Sequence, residues 1–313
     1  MLRSEAVAIH VQPTDQARGV DTFIRAYQTA LDSANRPVKA ILFCNPHNPR
    51  GDLYPRERIE ALLKFCHRNS LHFVSDEIYG LSTFDREATF TSVLQLDLHA
   101  LGVDPALVHF IYSISKDLGS SGLRLVCVFC LIHVFCLSQE NLICKTDPWL
   151  TFAQRRHLQG YLVTQSHPEL RRSLAISNHS KVSSLTAIVA TALLSDVEEL
   201  DGILSQNRMG LAQSASFVTG FLTHHGFDFV RPSAGVFIWA RLGGASCTWE
   251  AEKELSHKLQ VHGVSVGAGS GYCATEPGWF RITFAVPAES MAHAVRSVEA
   301  ALGLTSHWQP TSL

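Results

Sequence analysis

The sequence predicts an α/β protein: a mainly parallel sheet with helices on both faces, then a smaller C-terminal α/β domain. Three observations carry this expectation. Residues 38–44, 71–75 and 108–113 are short, nearly continuous apolar runs, as expected of strands buried on both faces of a parallel sheet. Between them, residues 21–35 and 55–68 have helical spacing. Each apolar run ends in polar residues, and in open α/β sheets ligands bind beyond the carboxyl ends of the strands.

Taken in order, residues 5–11 read as a short strand. Residues 21–35 place Phe23, Ile24, Tyr27 and Leu31 on one helical face, with Asp21 as the expected N-cap. The run 38–44 leads into Asn45-Pro-His-Asn-Pro-Arg-Gly51, a loop by composition. Pro55 opens a helix that continues through Arg68, and the next strand is followed at once by Asp76-Glu-Ile-Tyr79. Residues 108–113 repeat the pattern and lead into Lys116. Asn48, Asp76, Tyr79 and Lys116 therefore all follow strands and are expected to face one crevice. From residue 196 to about 224 a long helical pattern runs without proline; short strands at 235–240 and 279–285 and a closing helix over 289–302 follow. This change of texture places a domain boundary near Ser195, giving a large domain over 1–195 and a small domain with its connecting helix over 196–313.

Composition narrows the function classes. A chain of 313 residues, 46% of them hydrophobic, can bury a core in one large domain or two. A net charge of −2 gives no basis for a nucleic-acid or anionic-membrane partner. The opening residues carry charge where an export signal needs an apolar core. The most apolar run, residues 126–137, has 12 residues, whereas about 20 are needed to cross a bilayer. Eight cysteines in a chain of this length do not form a disulfide framework, so the expected location is the reducing cytoplasm.

The chemistry centres on Ser113-Ile-Ser-Lys116-Asp-Leu-Gly-Ser-Ser-Gly-Leu-Arg124. Alone, a lysine after a strand is a solvated surface residue. Here hydroxyls and an arginine surround it. Lys116 can form a Schiff base with an aldehyde while Ser113, Ser115 and Arg124 grip a phosphate on the same molecule. The cofactor carrying both groups is pyridoxal 5'-phosphate. Ser113-Ile-Ser-Lys116 also fits the Ser-x-x-Lys pattern of serine hydrolases, but the accompanying Ser-Asp-Asn and Lys-Thr-Gly triplets do not occur. Asp76 reads either as a loop acid or cap, or as the carboxylate that keeps a pyridine nitrogen protonated. Tyr79 either packs or hydrogen-bonds the ring oxygen, as the Asn48 amide can. Arg281, within an apolar strand, needs a partner: an internal carboxylate or, bidentately, a substrate α-carboxylate. Gly267-Ala-Gly-Ser-Gly271 lacks the spacing of a dinucleotide loop and reads as a turn. Cys127-Val-Phe-Cys130 has a zinc-knuckle gap without a second pair, so no metal is expected.

Together, Asn45–Gly51, Ser75-Asp-Glu-Ile-Tyr79, Ser113-Ile-Ser-Lys116, Arg124 eight residues later and Arg281 resemble fold-type I pyridoxal-phosphate enzymes of the class I/II aminotransferase family. Glu276-Pro-Gly-Trp-Phe-Arg281 and Val74-Ser-Asp-Glu-Ile-Tyr-Gly80 are most similar to 1-aminocyclopropane-1-carboxylate synthases and synthase-like relatives. The resemblance implies Lys116 as Schiff-base lysine and proton shuttle, with Asp76 on the pyridine nitrogen and Tyr79 and Asn48 on the ring oxygen. It implies Ser113, Ser115 and Arg124 on the phosphate, Arg281 on the substrate carboxylate, and a homodimer acting on an amino acid or keto acid. Transamination is the family's broad default. Ring-closing γ-elimination and carbon–sulfur lysis in specialised metabolism use the same residues. An inactive, truncated pseudoenzyme is the alternative from another class.

The sequence departs from that family twice. The family's long region ahead of the position of Glu5, with its opening strands, phosphate-cupping loop and ring-stacking aromatic, has no counterpart here, so the sheet is expected to be incomplete and to expose an interior edge. Family members also run from Gly-Leu-Arg-x-Gly directly into a further strand. Here 34 residues, 126–159, intervene before Gly160-Tyr-Leu-Val-Thr-Gln165, which reads as the displaced continuation. The segment contains Cys127, Cys130, Cys136 and Cys144 and lacks clear periodicity. A retained intron translated in frame and a genuine surface insertion are the two readings, and transcript sequencing separates them.

Overall fold

Helix α1 (Val20–Asp32) forms where the apolar spacing places it, burying Phe23 and Tyr27 with Ile24 and Leu31 packed alongside. It belongs to a computed structural model that describes residues 8–11, 19–119, 127–129, 161–164, 166–170, 188, 191–192 and 194–309. Gly19, not Asp21, holds the N-cap position; Asp21 sits inside the first turn, where its charge complements the helix's positive end. Residues 8–11 of the expected first strand carry no regular structure, and its other residues lie outside those described.

The chain divides into two units. The first spans residues 1–45, 54–81 and 90–204; the second spans 46–53, 82–89 and 205–313. In the first, β1 (Ala40–Cys44), α2 (Arg56–Arg68), β2 (His72–Asp76) and β3 (Val108–Tyr112) realise the predicted rhythm. The turn α3 (Ile114–Asp117) follows β3, and β4 (Cys127–Phe129) and β5 (Tyr161–Thr164) complete a sheet of order β1-β2-β3-β5-β4. β1, β2 and β3 are parallel neighbours, whereas β5 runs antiparallel to β3, with Tyr112 opposite Tyr161. Residues 161–164, read in the sequence as the displaced continuation, thus lie beside the strand that leads into the lysine turn.

One face of this sheet carries Ile41, Phe43, Phe73, Val108 and Phe110, and α1 and α2 cover it in a core with Ile59, Leu62, Leu63 and Phe65. The other face departs from expectation. β1 is not buried on both faces, because Leu42 at its centre is 62% exposed. On that same face His72 and His109 meet through their ring nitrogens at 2.8 Å, with His167 nearby.

The second unit contains β6 (Asp228–Val230), β7 (Phe237–Arg241), β8 (Gly267–Ala268) and β9 (Trp279–Thr283) in the antiparallel order β6-β7-β9-β8. Leu211, Phe217, Phe221 and Leu222 of α4 (Val197–His224) pack with Ile238, Ala240 and Phe280 of the sheet. Leu259 of α5 (Trp249–Val261) and Val295 and Val298 of α6 (Ala288–Leu302) close this core. Residues 267–271 form the short β8 and a turn of 3-10 helix.

Candidate active site

In the first unit the carboxyl ends of β2 and β3 bring Asp76, Tyr79, Ser113, Ser115 and Lys116 onto adjacent elements. Asp76 is the last residue of β2; its backbone carbonyl accepts from the buried Asn45 N–H (2.9 Å) and its side chain accepts from Ile78 N–H (3.3 Å), an Asx-type turn that redirects the chain. Burial pushes this carboxyl up to about 6, while the Ile78 hydrogen bond and the nearby Lys116 charge pull it down. Tyr79 is buried, and Lys116 Nζ lies 6.0 Å from its ring centroid. Lys116 itself is exposed.

Ser113 caps α3. Its hydroxyl accepts from Ser115 N–H (3.1 Å) and donates to Ser115 Oγ (2.8 Å), and both serines are buried. Two further buried carboxylates border this half-site. Glu77 Oε1 accepts from Ser75 Oγ and Val93 N–H, both at 2.9 Å, and burial pushes the acid up to about 7. Asp117 Oδ2 accepts from Leu81 N–H and Tyr112 Oη, both at 3.0 Å. Neither acid stood out in the sequence. Their only signal was position, one residue after Asp76 and one after Lys116. Arg124 lies outside the described residues.

In the second unit, Asn48 and Arg281 meet directly. Arg281 Nη1 donates to Asn48 Oδ1 at 3.0 Å, leaving the amide nitrogen of Asn48 to donate elsewhere. The guanidinium lies over the rings of Tyr272 and Phe237, with its central carbon 4.8 and 5.0 Å from their centroids. Its Nε is buried without a hydrogen-bond partner, and among the described residues no carboxylate pairs with it. A cation held between two rings with an unspent donor suits an anionic ligand better than an internal salt bridge. Asn48 reaches this position because Gly51 (φ +75°) turns the loop back, its carbonyl accepting from Ser233 and Ala234 N–H. A Cβ at Gly51 would sit 2.6 Å from the Phe237 carbonyl oxygen.

The family model for aminotransferase class I and II matches residues 2–298. The chain belongs to the class I/II aminotransferases. Among its relatives, this aminotransferase chain is 47% identical to the probable aminotransferase gliI of Aspergillus fumigatus, over 97% of this chain and 65% of that protein. It is 32% identical to the aminotransferase verI of Clonostachys rogersoniana, over 95% of this chain and 59% of that protein. It is 27% identical to 1-aminocyclopropane-1-carboxylate synthase 2 of Cucurbita pepo, over 90% of this chain and 51% of that protein. The chain thus spans 65% or less of the length of these curated relatives. A Thermus thermophilus aspartate aminotransferase double mutant superposes with a TM-score of 0.66 over 91% of this chain and 60% of that one, at 18% identity, which establishes the fold as that of fold-type I enzymes.

The donor set fits pyridoxal 5'-phosphate. A half-buried carboxyl with a raised pKa at the end of β2 is suited to a protonated ring nitrogen. An exposed primary amine beside a buried phenol is suited to an aldehyde flanked by a ring oxygen. Among the described residues no group of three or more His, Cys, Asp or Glu side chains could hold a metal ion, and no helix is long and apolar enough to cross a membrane.

Proposed function

We propose that this chain carries the machinery of a pyridoxal-phosphate-dependent aminotransferase acting at the α-carbon of an amino acid. The observation that carries the reading is the grouping of Lys116, Asp76 and Tyr79 at the carboxyl ends of two parallel strands. When bound, the cofactor supplies an electron sink for charge developing at the substrate Cα. The protein's own residues would do the rest. Asp76 would hold the ring nitrogen protonated; a carboxylate there gains a cationic partner that offsets its burial. Tyr79 and Asn48 would donate to the ring oxygen, and Ser113, Ser115 and Arg124 would hold the phosphate. The amine of Lys116, once free, would take the Cα proton as general base and then, as general acid, deliver it to a position other than Cα, which is what transamination requires. Arg281 would bind the substrate α-carboxylate through its fork of donors.

Reductive trapping tests this reading. The purified chain, mixed with pyridoxal 5'-phosphate and treated with borohydride, should carry a phosphopyridoxyl group on Lys116, and Lys116→Ala should abolish both the label and the visible absorbance band. Well-folded wild-type protein without label would favour the inactive pseudoenzyme.

A second reading, elimination of the 1-aminocyclopropane-1-carboxylate synthase or carbon–sulfur lyase type, is favoured by the identity to the Cucurbita synthase over 90% of the chain. Product analysis separates them: transamination converts an added keto acid into its amino acid, whereas elimination releases the substrate's γ- or β-substituent. The fungal aminotransferase relatives, and the similarity to the trimodular acetylaranotin synthesis protein of Aspergillus terreus, favour a biosynthetic transamination in specialised metabolism. A cytoplasmic homodimer completes the proposal, checked by size-exclusion chromatography with light scattering.

A further inference from the structure

We propose that Asp117 is a positioning residue that clamps the lysine-bearing turn to the loop carrying Tyr79, and so sets how Lys116 and Tyr79 meet the cofactor; the inference rests on the function proposed above. Lys116 and Asp117 are neighbours in α3, Lys116 exposed and Asp117 only 1% exposed. Asp117 is thus turned into the protein rather than towards solvent. Its Oδ2 instead accepts from Leu81 N–H, 36 residues earlier, and from the hydroxyl of Tyr112 on β3. Leu81 lies two residues past Tyr79 in the turn Gly80–Ser82, whose first N–H is held by the Glu77 carbonyl at 2.8 Å. One carboxylate oxygen thus ties together the end of β3, the lysine turn and the tyrosine loop.

A buried carboxylate must be matched by donors, and here two of them lie on the elements whose spacing determines the site. The Tyr79 loop has no strand or helix of its own beyond that 3-10 turn. Without Asp117, its buried phenol would keep its packing, while the register of the loop against Lys116 would be set by fewer hydrogen bonds.

Three variants of the full chain test the clamp: Asp117→Ala, Asp117→Asn and Tyr112→Phe. Two readouts are taken, amide hydrogen exchange at Leu81 without cofactor, and the affinity for added pyridoxal 5'-phosphate with the pH midpoint of its lysine-bound absorbance. Asp117→Ala should speed exchange at Leu81, weaken cofactor affinity by about ten- to hundredfold, as loss of a supporting partner typically does, and move the pH midpoint. Asp117→Asn keeps an acceptor for both donors and should stay within a few fold of wild type in affinity. Tyr112→Phe removes one donor and should fall between them. If Asp117→Ala does not fold, Tyr112→Phe carries the same test. Faster exchange at Leu81 with unchanged affinity and pH midpoint would mean that the carboxylate serves folding alone, which overturns the clamp. Failure of wild-type protein to take pyridoxal on Lys116 overturns the proposed function and the clamp with it, so the two failures are told apart by the wild-type control.

Discussion

Glu77 and His109 are both buried titratable groups, and they make the stability of the first unit depend on pH in opposite senses. Burial raises Glu77 from its ordinary value to about 7, so the folded state holds its proton more tightly than the unfolded chain. Its contribution is complete below the unfolded carboxyl pKa and is lost as pH rises through about 7. His109 is pushed down to about 4 by burial and by His72 and His167 beside it, so its contribution is complete above the unfolded imidazole pKa and is lost as pH falls towards about 4. Glu77→Gln should therefore flatten the alkaline limb of a melting-temperature profile, and His109→Gln the acid limb. Each effect is at most on the order of 3 kcal/mol, the free energy of a shift of this size. Profiles from pH 4 to 9 that keep both slopes in both variants would contradict the assignment. At the substrate end, Arg281→Lys replaces a guanidinium set between Tyr272 and Phe237 with a point charge. Steady-state kinetics should show kcat/KM for an amino acid falling about ten- to hundredfold, as loss of hydrogen bonds to a charged group predicts. The sequence made Asp76, Lys116 and Arg281 legible because each is a charge beside an apolar run, which demands a reason. It did not expose Glu77, Asp117 or the His72–His109 pair, because their partners, such as Val93, Leu81 and His167, are distant in sequence.

At the scale of elements, continuous apolar runs and helical spacing located β1, β2, β3, α1, α2, α4 and α6 to within a few residues. The elements that escaped have physical reasons. β6 has three residues and β8 two, too short for any periodicity, and α5 interleaves Glu250, Glu252, Lys253, Glu254 and Lys258 with few apolar residues, burying only Leu259 and, unusually, Glu252. Glu252 is retained because its two oxygens accept from Ser270 and Gly278 N–H. The loop ahead of Tyr54 read correctly as a loop, but not its reason for being sharp. Gly51 at φ +75° lets its carbonyl reach Ser233 and Ala234, and no side chain fits there. Gly51→Ala should cost roughly 2–4 kcal/mol, from left-handed strain plus a backbone clash. Chemical denaturation measures it, and a cost near zero would show that the loop can re-form without this turn. The pairing of β5 with β3 argues in the same way about residues 126–159. Tyr161 already lies opposite Tyr112, so joining Leu125 to Gly160 removes only β4 from the sheet edge and leaves β1-β2-β3-β5 intact. The shortened chain should melt at or above the temperature of the full one in a thermal scan; loss of its cooperative transition would make the segment a real part of the fold.

At the scale of the whole molecule, the sequence identified a family but could not show how its sheet ends. Among the described residues β1 forms one edge of the five-stranded sheet, and Leu42 projects from the face opposite α1 and α2. A strand at a sheet edge beside an exposed leucine is a template for pairing with another chain. Its cross-strand neighbour on that face, Val74, is only partly buried, so the apolar surface extends beyond one side chain. Apolar composition alone could not reveal this, because residues 38–44 look the same in a covered strand as in an uncovered one. A lysine at position 42 would set a hydrated charge on the edge without touching the core formed by Phe43 and Phe73 on the other face. Leu42→Lys should therefore leave the thermal transition within about 0.5 kcal/mol of wild type, as surface substitutions usually do, while reducing concentration-dependent light scattering. Phe43→Lys, which places the same charge in the core, should instead unfold the first unit. If Leu42→Lys scatters as strongly as wild type while remaining folded, association proceeds through another surface and β1 is not its template.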